Sequence, residues 1–461
     1  MAEAPGHRVA AASKITALRG RAISFTADPF LVPQKYALRH ESDGLIVIEN
    51  GVITAFGPYD VTRAALPPGS TVTRLGSDSL IMPGFIDTHV CYPHTQTIGI
   101  AGTAGNSPKD AAWQAEQQFA NEPHARDVAA VFLRELLRAG TTTAAVSCAV
   151  FPSSVDVFFE ESHRLNTRMV AGKMLMDRNV PTAVRDTAQR GYDESRELSQ
   201  RWHEHGRQLY CITAHSVTTS TPAQLEAAKT LRHEQRGTYF QSNVAETQAE
   251  SASVRPLHPD CRSALDVYDR NGLLGPRSVL GHAVWFEEND FYRCHDTGTA
   301  IAHCPSADLF LGSGVFSIHS AKRSYRPVRC GLGTDLGAGT SCSPLATMNQ
   351  AHKMAQLSGN TLNALQAFYL ASAGGAHALY LDDRIGFIAP GYEADLVILD
   401  LHSTPLIDYR MRFCRDVEEE LLIQLVLGDD RAVRATYVAG ELRHDRDAAV
   451  TAPSREGGAI A

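Results

Sequence analysis

The stretch "MPGFIDTHVCYPHT", Met82–Thr95, sets the reading of the whole chain. Its apolar run ends in Asp87-Thr88-His89-Val90-Cys91. Residues two apart on a strand face the same side, so this spacing predicts that His89 and Cys91 point together beyond the end of a strand. Barrel enzymes place their chemistry at the C-terminal ends of their strands, which gives polar residues in such positions first weight.

Four later stretches have the same form: Asn243-Val244-Ala245-Glu246, Gly281-His282, Ala302-His303-Cys304-Pro305 and Gly333-Thr334-Asp335. Between them helix and strand patterns alternate. "DVAAVFLRELLRAGTTTAAVS" reads as an amphipathic helix, a stop at Gly140 and a β-branched strand. "STPAQLEAAKTLRHEQRGTYFQSNV" has Ser220 as N-cap candidate, Pro222 in the first turn, Gly237 as stop, then a strand. "SALDVYDRNGLLGPRSVLGHAV" and "SIHSAKRSYRPVRCGLGTD" repeat the order. Repeated units of this kind predict a parallel sheet covered by helices, a (β/α)8 TIM barrel by count. The rival is a doubly wound open sheet, but no Gly-x-Gly-x-x-Gly turn follows an early strand.

The two ends read differently from the middle. "GLIVIENGVITAFGP" alternates around an Asn50-Gly51 hairpin turn, and "GYEADLVILDL" and "RAVRATYVAGELRH" return to short β-like runs. The expected organisation is a small β-sandwich domain built from residues 14–82 and 386–445 around a barrel at 83–385. Residues 1–13 and 446–461 are expected to be flexible ends.

With 461 residues, 44% of them hydrophobic, 20% charged and a net charge of −8, the chain reads as a globular enzyme and not a nucleic-acid binder. It has no signal-peptide core and no membrane-span-length apolar stretch, so a cytoplasmic protein is expected. Nine cysteines without a repeating framework suit reduced thiols.

Several segments carry a resemblance. "PGFIDTHVCYPHT", "GKMLMDRNVP", "AHCPSADLFLGSGVF", "GLGTDLGAGTS" and "GFIAPGYEADLVILD" are similar, in order, to the amidohydrolase superfamily and within it to guanine deaminases. That resemblance implies an α/β barrel, hydrolysis at C–N bonds, one zinc and a homodimer. The family's zinc ligands fall on His89, Cys91, Asn243 and Asp335, so two of its histidines are here a cysteine and an asparagine. The proton-shuttling glutamate falls on Glu246, the water-orienting histidine on His282, and the histidine of the family's His-Cys-Pro segment on His303. Purine-reading positions fall on His94 and on His215-Ser216, where the family has glutamine and an Arg-Phe pair. The segment after Ile98 also departs, which implies a different lid.

The physics of the two exchanged ligands differs. A cysteine thiolate is a good zinc ligand, whereas a neutral amide oxygen is a hard, weak donor. His94 stands ready as a substitute ligand beside His89, Cys91 and Asp335, or as a ring contact in the pocket. Whether zinc is held therefore stays open at the level of sequence.

Structural readings stand beside these. Asp335 suits a turn, Glu246 a helix start favoured by the helix dipole, and His282 and His303 a satisfied core; Cys304 and Cys330 suit packing, and Cys91 a filler in a dead site. Three functions remain: a zinc hydrolase with rearranged ligands acting on an amino-substituted nitrogen heterocycle other than guanine, a metal-free enzyme using the same pocket with Cys91 available as a nucleophile, and a ligand-binding or scaffold homologue. All three take a small nitrogen heterocycle as partner, with no nucleic acid and no membrane.

Overall fold

The computed structural model describes residues 14–100 and 108–448. The expected flexible end at 1–13, most of that at 446–461 and the middle of the segment after Ile98 lie outside the described residues.

Eight parallel strands form the central sheet in the order of the chain: Phe85–Cys91, Thr141–Ser147, Arg168–Gly172, Leu209–Ala214, Tyr239–Val244, Ser278–His282, Ala300–His303 and Cys330–Leu332. Each pairs in parallel with the next. The last strand returns to the first, and the seam is held by single bonds: Thr88 Oγ1 donates to Leu332 O at 2.9 Å and Asp335 N to His89 O at 3.0 Å. Asp87 reinforces the seam by accepting from Thr334 N at 3.1 Å. The barrel expected from the alternating pattern is present.

The covering helices start where the sequence supplies caps. Asn121 accepts from His124 N at the head of Glu122–Arg138, whose buried stripe, Ala125, Val128, Phe132, Leu136, recurs at helical spacing. At Pro222–Glu234 the cap is Thr221 and not the expected Ser220. Proline occupies the first helical position, so the capping oxygen must come from the residue directly before it.

A second, mixed sheet of eight strands draws on both chain ends, with Ile15–Phe25 and Ser79–Pro83 joined to Leu396–Asp400 and Val433–Val438. Asn50 and Gly51 both take positive φ, 50° and 85°, as the expected tight hairpin requires. Within the C-terminal part, Val417–Leu427 is a helix that packs on the barrel helices Pro344–Leu357 and Ala364–Leu370. The two bodies are also joined by charge: Arg168 and Arg207 under the barrel meet Glu393 and Asp395 of the returning chain. All nine cysteines are free, and Cys304 and Cys330 are buried among core residues. No helix among the described residues is long and apolar enough to cross a membrane.

Candidate active site

The C-terminal ends of the barrel strands concentrate unusual backbone. Ala245, His282 and Asp335 lie at φ of 46°, 71° and 42°, in the left-handed region that non-glycine residues rarely adopt. Such strain persists only where the surroundings fix it and clusters at functional sites. Here it aims Glu246, His282 and Asp335 from three different strand ends.

His282 is the hub of the group. Its Nδ1 lies 2.9 Å from Asp308 Oδ1, and its Nε2 lies 3.8 Å from Asp335 Oδ2 with no hydrogen-bond partner. Burial alone would lower its pKa, but the carboxylates of Glu246, Asp308 and Asp335 outweigh that and push it up to about 10. Asp335 is pushed up to about 7 by burial, against the pull of His282. Glu246 is half-buried and accepts from Ser313 Oγ at 3.5 Å.

His89 and His303 are buried with Nδ1 unpartnered, and burial holds both as neutral rings, each with a pKa lowered to about 3. His89 meets His282 edge-on at 5.5 Å, and His303, which feels the charge of His282, lies tilted against Phe316 at 4.8 Å. The His89 ring is seated over Gly281, where a Cβ would stand 3.0 Å from its Cε1. Only glycine at position 281 leaves that seat free.

Cys91 ends the same strand as His89. The pairing register slips between Asp87 and Val90, and Cys91 lies among Val150, Met174, Met176 and Val180. The bulge falls within the segment that carries both residues, and the Cys91 thiol also feels the charge of Asp335. Burial, then Glu116 and Asp335, push the Cys91 thiol well above its ordinary value. Asn243, half-buried, pairs in register with Gly281.

The remaining wall comes from His215, Ser216, His94 and a helix. His215 Nδ1 lies 3.2 Å from Thr219 Oγ1, and its ring meets Trp113 at 5.5 Å. Buried Ser216 bonds to Thr218 and Thr219. His94, in the turn Tyr92–Thr97, is half-buried with a pKa lowered to about 4 by burial. One turn beyond Trp113, Glu116 is 1% exposed, and burial, against the pull of Lys173 and the Val150 backbone, pushes its pKa up to about 8. Sequence reasoning missed Glu116, Trp113 and Asp308. Asp308 stood inside a quoted segment, but as a helix residue after Pro305 it gave no sign of facing His282.

The sequence signature of the amidohydrolase family spans residues 80–443. The chain is 41% identical to the guanine deaminase of Escherichia coli over 412 residues, 89% of this chain and 93% of that one. The chain belongs to the amidohydrolase family. It is 34% identical to a probable guanine deaminase of Deinococcus radiodurans, covering 92% of this chain and 97% of that one. Among solved structures, the guanine deaminase of Bradyrhizobium japonicum superposes with a TM-score of 0.90 at 32% identity, over 94% of this chain and 99% of that one. The guanine deaminase-like character expected from the motifs is therefore established.

The zinc that the resemblance to amidohydrolases implies would draw on His89, Cys91, position 243 and Asp335. Among the described residues, no three His, Cys, Asp or Glu side chains converge closely enough to hold a metal, with or without His94. Position 243 offers only a neutral amide, a hard and weak donor for zinc. The donor set does not fit a tetrahedral zinc, and no step below runs through one.

Proposed function

We propose that the protein deaminates guanine or a closely guanine-like aminopurine, exchanging a ring amino group for oxygen with release of ammonia. The observation that carries this reading is the convergence of Glu246, His282 and Asp335, backed by Asp308, on a scaffold shared along nearly its whole length with guanine deaminases. In this reading Asp335, with its pKa near neutrality, accepts a proton from the attacking water. The His282 imidazolium faces the charge that develops as the ring carbon becomes tetrahedral. Glu246 carries a proton to the leaving amine.

Relatives weigh towards guanine and against the expectation, drawn from positions 94, 215 and 216, that guanine itself is not taken. Those positions bear on how the ring is gripped: His215 stacked with Trp113 offers an aromatic wall where the family resemblance implies Arg-Phe. The scaffold reading is disfavoured because a dead pocket places no demand on a buried His282 flanked by three carboxylates. The homodimer belongs to the same proposal. Ammonia release from guanine by the purified chain tests it, and absence of turnover on guanine and on related aminopurines would refute it.

A further inference from the structure

The disagreement between donor set and family has two independent parts. The residue in register with Gly281, at the position corresponding to an imidazole ligand, is Asn243, whose amide oxygen is a poor zinc donor. Cys91 packs against Val150, Met174, Met176 and Val180, and among the described residues its thiol is not part of any group able to hold a metal.

These are not the marks of a zinc site with one weakened ligand. We infer that this chain has given up the tetrahedral zinc of its family and works as an apoprotein, with the substitutions at Cys91 and Asn243 as the cause. The inference rests on the reading of this pocket as the amidohydrolase active site.

The test is metal content by mass spectrometry of the full chain purified from zinc-supplemented cells, beside C91H/N243H and N243H. The parent is expected to carry far less than one zinc per chain, with an unfolding temperature indifferent to zinc and to chelator, and the double variant to take up about one zinc per chain. About one zinc in the parent, removed by chelator with a fall in unfolding temperature, overturns the inference. If the double variant does not fold, zinc titration of N243H decides. Binding at least about a hundredfold tighter than the parent's supports the inference, and unchanged binding overturns it.

Guanine turnover, measured on the same samples, keeps the two proposals apart. A zinc-free parent inert towards guanine refutes the substrate reading alone, and a zinc-loaded, active parent refutes this inference alone.

Discussion

Asp308 holds His282 from behind: its Oδ1 lies 2.9 Å from His282 Nδ1, and both side chains are almost wholly buried. This bond fixes which way the ring faces and leaves Nε2 as the atom presented to the pocket. Asp308→Asn keeps the shape and removes the charge. The expected result is a fall in kcat of roughly a hundredfold with KM little changed, measured by steady-state kinetics, whereas a purely structural role would lower the unfolding temperature without that split.

Gly281 makes room for His89. In Gly281→Ala the new methyl meets the ring at 3.0–3.2 Å and the imidazole must shift. Because small displacements of active groups are costly, kcat/KM should fall by about a hundredfold while the circular dichroism spectrum stays that of the parent. Unchanged kinetics would show that His89 takes no part.

Glu116 is a buried acid with its pKa raised, and the sign of its effect on stability follows. The proton is held more tightly in the folded state, so stability is highest below the ordinary carboxylate value and falls as pH rises from there to about 8. Glu116→Gln removes the ionisation and should flatten that fall. Chemical denaturation from pH 5 to 9 checks it: a variant that keeps the parent's slope contradicts the assignment.

Arg207 joins barrel to β sheet through Asp395 at 2.5 Å and Glu393 at 2.6 Å. Removing one partner of a buried pair strands the others, so Arg207→Met should cost about 3–5 kcal/mol of unfolding free energy. Burial acts to raise the pKa of Glu393, but Arg207 and Arg168 outweigh it and hold the carboxyl below its ordinary value. Its stabilisation is present above the unfolded carboxylate pKa and is lost as pH falls through the lower folded one. The gap between parent and variant should therefore narrow in acid, as followed by thermal unfolding.

Much of this was legible in the sequence because barrel strands announce themselves. Polar residues ending apolar runs located His89, Glu246, His282, His303 and Asp335, and Asn50-Gly51 located the hairpin. The apolar packing of Cys91 and the bulge between Asp87 and Val90 were not legible, since local pattern does not encode either. Asp308 and Glu116 were hidden for a different reason. They are acids on helices, where the ordinary expectation is solvent, and only tertiary packing places one behind His282 and the other, buried, close enough to shift the Cys91 thiol.

The central claim is catalysis at a C–N bond by the cluster around His282, and ammonia release from guanine by the parent and by Glu246→Gln tests it most directly. The account predicts steady turnover by the parent and a loss of about 10²–10⁴-fold in the variant, with both folded. Equal rates in the two proteins, or no ammonia from the parent, would contradict it.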